Sequence, residues 1–94
     1  MDVILRYLTP DRNLIVCRPQ QVDLFVQIIR KELPTVTITS NRDCWNNPDY
    51  RVIVAREDEV NRADLSRSNV SIIIAITKLI TTIIVNIITV TLIN

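Results

Sequence analysis

Two cysteines, Cys17 and Cys44, are the strongest nucleophiles in this chain, and they stand in a sequence without a single histidine. Histidine is the commonest general base and metal ligand, so a Cys–His nucleophile pair is excluded by composition alone. Cys17 ends the apolar run "NLIVC" and reads as a core thiol. Cys44 lies beside Trp45 in the polar stretch "SNRDCWNNPD" and is the more accessible of the two. One disulfide at most is available, which is no framework, so both are read as reduced thiols.

The carboxylates offer little more. Asp43, Asp49, Glu57, Asp58 and Glu59 are hard-cation ligands by type, but no calcium-loop spacing links them. Solvated surface charge is the expectation. The chain has no glycine, so a Gly-rich phosphate loop is impossible. The arginines Arg6, Arg12, Arg18, Arg42, Arg51 and Arg56, with Tyr7, Trp45 and Tyr50, have the types of a single-strand nucleic-acid platform. Eleven basic against ten acidic residues leave a formal charge of +1, which gives no general pull toward a polyanion. No catalytic residue, cofactor, metal or nucleic-acid partner is therefore expected. Trp45, an aromatic in an Asn-rich loop, is a candidate anchor for an unknown protein partner, with a lid over a small core as its alternative role.

The C-terminal stretch "SIIIAITKLITTIIVNIITVTLIN", Ser71 to Asn94, carries a different chemistry. Ten of its residues are Ile, and Lys78 is its one charged side chain. As a helix it would extend about 36 Å, against about 30 Å of bilayer hydrocarbon. Ser71, Ala75, Lys78, Thr82, Asn86 and Thr89 fall at steps of three and four, one stripe on such a helix. A small, polar stripe on a lipid-bathed helix is a packing face. Ser71, Lys78, Thr82, Asn86 and Thr89 are thus the candidate oligomerisation stripe. Lys78 would need a partner, water or a route to the interface. Arg56, Arg62 and Arg67 precede the segment, which by the positive-inside bias keeps the preceding residues cytosolic. On that side the acceptor pattern Asn69-Val70-Ser71 goes unused. The rival reading takes the segment as core strands, because Val, Ile and Thr favour strands in water.

The elements that would carry these groups follow from periodicity. "DVILRYL" and "NLIVC" flank the turn "TPDR" and predict a β-hairpin. From Pro19 onward, Val22, Phe25, Val26, Ile29 and Leu33 recur at helical spacing. Pro19 suits a first turn, Asp23 and Arg30–Lys31 suit the two helix ends, and Pro34 should stop the helix. "TVTIT" (35–39) and "YRVIVA" (50–55) predict two further strands. The head, 1–56, thus reads as a small α+β ββαββ unit with an antiparallel-biased sheet. Residues 57–70 read as a polar linker or short helix, and 71–94 as a hydrophobic, transmembrane helix.

With no glycine, Asn and Asp must take the turn positions. Such skew can arise when a chain is read in a second frame across another gene, as in small viral accessory proteins. The opening residues have no basic-flanked apolar segment, so no secretory signal is expected. These features predict a non-enzymatic, single-pass membrane accessory protein, viral in character, that acts by homo-oligomerisation or partner binding. The alternative is a cytoplasmic, soluble α+β protein-binding module or homodimer whose apolar C-terminus forms core strands.

Overall fold

In the computed structural model, which describes residues 2–60, 70–76 and 88–91, the chain builds a five-stranded sheet in the order β2-β3-β1-β4-β5. The strands are β1 (Asn13–Cys17), β2 (Ile38–Thr39), β3 (Val52–Arg56), β4 (Ile72–Ala75) and β5 (Ile88–Thr91). Every neighbouring pair runs parallel. Two helices accompany them, α1 (Asp2–Tyr7) and α2 (Val22–Glu32).

The parallel arrangement replaces the expected antiparallel sheet, and the strand sequences explain why. Antiparallel sheets commonly leave one face wet and alternate apolar with polar residues, whereas parallel strands are covered on both faces and are apolar throughout. All five residues of β1 are buried. Along it Ile15 and Cys17 enter one core cluster, while Leu14 and Val16 enter another. The same division runs through β3 (Val52 and Val54; Ile53 and Ala55) and β4 (Ile72 and Ile74; Ile73 and Ala75). The register aligns these sets, Leu14 lying opposite both Ile53 and Ile73.

α2 covers the first face with Phe25, Val26 and Ile29. Its start is set by Pro19 to Gln21, a 3-10 turn in which the Arg18 amide donates to the Gln21 side-chain oxygen at 3.1 Å and the Gln21 amide donates back to the Arg18 carbonyl at 2.9 Å. Its end lies at Glu32, two residues before Pro34, and the Leu33 amide closes the last turn on the Ile29 carbonyl. Both boundaries agree with the sequence signals. On the second face Trp45 and Val70 are buried against the strands, and Val60 packs beside them.

The first expected strand is a correction. "DVILRY" forms the helix α1, not one arm of a hairpin. Its apolar residues suit either state. As a helix it buries Ile4 and packs Leu5, with Leu8 just after it, against the α2 side of the sheet, with no strand partner required. Of "TVTIT" only Ile38 and Thr39 pair as a strand, at the edge beside β3.

The C-terminal segment is the second correction. Ile72–Ala75 is a strand beside β1 near the middle of the sheet, and Ile88–Thr91 is a strand beside β4. One continuous helix over 71–94 is therefore not what these residues form. Ile73 and Ile74 have zero exposure. Burial of a side chain this size contributes about 1.5–3 kcal/mol. Ile72–Ala75 and Ile88–Thr91 thus belong to the same sheet as the strands of the head. No helix among the described residues is long and apolar enough to cross a membrane. The middle of the segment, 77–87, lies outside the described residues, as does 61–69 of the expected linker.

Candidate functional site

In open parallel sheets, ligands usually sit beyond the carboxyl ends of the strands, where the strand order reverses. Here that reversal falls between β1, whose connection leads to β2, and β4, whose connection leads to β5 on the other side. Several polar groups at that end are already occupied. Gln21 closes the turn after β1. Arg56 grips Asp58 with two hydrogen bonds, 3.0 and 2.7 Å, and approaches Glu59 at 3.5 Å. That contact holds the Asp58 carboxyl below its usual range, at a surface where solvent screens the pair. Cys17 is fully buried, and burial, with a smaller contribution from Glu57, pushes its thiol up to about 12. A thiol held protonated is a poor nucleophile. Among the described residues no group of three or more Cys, Asp and Glu is placed to hold a metal ion.

The opposite end of the sheet is more elaborate. The register that sets Asn13 opposite Val52 and Ile72 also lines up the residues one step earlier, Arg12, Arg51 and Ser71. Backbone bonds lock them together: Asn13 N–H donates to the Arg51 carbonyl and Ser71 N–H to the Arg12 carbonyl, both at 2.8 Å. The Arg12 guanidinium donates to the Tyr50 carbonyl at 3.1 Å and also to the Trp45 carbonyl. Arg51 donates to the Pro10 carbonyl. A polar cavity of about 420 Å³ opens here, lined by Arg12, Arg51, Asp11 and Ser71. Beside it lies a more apolar cavity of about 320 Å³, walled by Leu5, Leu8, Leu33 and Val36.

Trp45, the expected partner anchor, is buried at 4 % exposure in the domain's own second core. Its ring is packed with Leu14, Val16 and Ile73 in that cluster. Arg42 stacks over its ring at 5.7 Å, and its indole N–H has no hydrogen-bond partner among the described residues. Of the expected oligomerisation stripe, Ser71 precedes β4 and lines the polar cavity, while Thr89 lies in β5 opposite Ile73. Lys78, Thr82 and Asn86 lie outside the described residues. A stripe at steps of three and four is a face only on a helix, so Ser71 and Thr89 share none through that spacing.

No known protein family, curated protein or solved structure shows a significant match to this chain. Function must therefore be argued from the molecule itself. Of these residues the sequence reading leaves out Asn13, and it holds Arg12 and Arg51 only as members of a nucleic-acid platform, not as neighbours at one end of the sheet. Their signal was a polar residue directly before each apolar strand run, which only the parallel register turns into a cluster.

The second structural feature with functional content is β5. It ends the strand order, and among the described residues it pairs with β4 alone. Its sequence, "ITVT", is β-branched and carries no charge and no proline.

Proposed function

We propose that this chain is a non-enzymatic interaction domain that assembles with a second copy of itself through the outer edge of β5. The observation that carries this reading is the terminal position of β5 together with its uncharged, proline-free sequence. Edge strands present a row of backbone donors and acceptors. Monomeric proteins commonly blunt them with lysine, proline or a bulge. None of the first two is found within Ile88–Thr91. A two-fold axis beside β5 pairs the strand antiparallel with its own copy and repeats the same patch on both subunits. The opposite edge, β2, is only Ile38–Thr39, too short to offer an equivalent surface.

The reading keeps the expected homo-oligomer and changes its means from helix packing to sheet extension. Its test is light scattering of the full chain in detergent-free buffer, paired with membrane flotation and alkaline carbonate extraction. A monodisperse dimer in buffer supports it. A monomer at high protein concentration overturns it. A carbonate-resistant membrane fraction also overturns it, and would return the 71–94 segment to the role of a lipid anchor.

A further inference from the structure

The two cavities at the amino ends of the strands share a wall. Pro10 and Arg51 line both of them. Among the described residues, two guanidinium groups, Arg12 and Arg51, and one carboxylate, Asp11, stand on one side of that wall. On the other side stand Leu5, Leu8, Leu33 and Val36. From this adjacency we infer that the amino end of the sheet binds a small amphiphilic anion, its hydrocarbon chain in the apolar cavity and its carboxylate head against Arg51.

Three observations carry the assignment. The apolar cavity, at about 320 Å³, lies in the range of small-ligand sites, which are mostly apolar with a few placed polar groups. The Asn13 amide in its wall makes no demand on a ligand. Asn13 accepts from the Thr9 amide at 2.7 Å and donates to the Thr9, Asp11 and Arg51 carbonyls at 3.1, 3.4 and 3.2 Å. A polar group already bonded in this way loses no partner when a hydrocarbon enters. Finally, both guanidinium groups are held by backbone carbonyls, Arg12 by Tyr50 and Trp45 and Arg51 by Pro10. Their charge is positioned before any ligand arrives, and a guanidinium is always cationic in a protein. The Arg51 guanidinium, on an exposed side chain, favours an anionic head over a neutral or cationic one.

The site is independent of the β5 edge. Its test is titration of the full chain with octanoate below its micelle concentration, against acetate, octanol and octylammonium. Binding is followed by calorimetry and by methyl chemical shifts. Octanoate is expected to bind at least about tenfold tighter than acetate and octylammonium, each tenfold being about 1.4 kcal/mol. The methyl shifts should move at Leu33 and Val36 but not at exposed Leu24. Arg51→Gln, at an exposed side chain, should weaken octanoate about tenfold and leave octanol unchanged. Octanoate binding no tighter than acetate overturns the proposal. So does an Arg51→Gln variant, folded by circular dichroism, that binds octanoate as the parent does. Shifts at Leu24 in place of Leu33 and Val36 would mean surface adhesion and also overturn it.

Discussion

Asn13 and Thr9 are bound to each other twice: the Thr9 amide donates to Asn13 Oδ1 at 2.7 Å, and Asn13 Nδ2 donates to the Thr9 carbonyl at 3.1 Å. The pair clamps the turn between α1 and β1, and Asn13 is 1 % exposed. Removing the amide would leave buried backbone groups unpaired, which costs about 1–3 kcal/mol. Asn13→Ala should therefore lower unfolding stability by about 2 kcal/mol in urea denaturation. A loss under about 0.5 kcal/mol, ordinary for a surface site, would mean that water replaces the side chain.

The α2 face should respond as a packed core. Phe25 is 7 % exposed and Ile29 is fully buried, both in the cluster beneath the helix. Phe25→Ala should cost about 3–5 kcal/mol and Ile29→Ala about 2–5 kcal/mol. Leu24→Ala, on the exposed side at 53 % exposure, should change stability by less than about 1 kcal/mol. Equal losses at Leu24 and Ile29 would place the helix on a different face.

Trp45 should tolerate loss of its nitrogen better than loss of its bulk. Its indole N–H is buried without a hydrogen-bond partner among the described residues, a cost the folded state carries. Trp45→Phe keeps much of the volume and removes that donor, so its effect should stay within about 1.5 kcal/mol, while Trp45→Ala should cost about 3–5 kcal/mol. Thermal denaturation of the two variants distinguishes them. A Phe variant as unstable as the Ala variant would show that the nitrogen is satisfied in solution.

Cys17 makes an alkaline prediction. Its thiol is raised from an ordinary 9.0 to about 12 in the folded chain. Between those values the unfolded chain has released the proton and the folded chain retains it. Stability is unaffected below about pH 9 and falls as pH rises toward 12, by at most about 1.4 kcal/mol per pH unit. Cys17→Ala should flatten that part of the stability curve. In native alkylation Cys44, which is partly exposed, should react before Cys17. Equal labelling rates without unfolding would contradict the burial of Cys17.

Proline at β5 tests the proposed edge. Successive residues of a strand direct their N–H groups to opposite sides, so Thr89→Pro and Val90→Pro delete donors on different edges. One substitution should abolish dimerisation at unchanged secondary structure, and the other should lower stability. If neither alters the oligomeric state, β5 is not the interface.

Much of the head was determined by local sequence. "NLIVC" is strand-forming, β-branched and apolar, and it is β1. The spacing of Phe25, Val26 and Ile29 determined the buried face of α2, and Pro34 determined where the helix stops, because these effects act within one or two turns. Cys17 as a core thiol followed from its apolar neighbours.

What the tertiary structure decided was everything that depends on a partner strand. A fully apolar run is equally suited to a buried helix, a membrane span or a two-face-buried strand, and periodicity cannot separate them. β4 became a strand because β1 was available beside it, so that Ile73 and Ile74 could be buried on opposite faces of one sheet. "DVILRY" became a helix because Ile4 and Leu5 pack against that sheet without pairing to it. Arg12, Arg51 and Ser71 are far apart along the chain, and only parallel pairing of β1 with β3 and β4 sets them side by side. Strand pairing is a long-range choice, made by burying whole faces at once, and no single stretch of residues contains it.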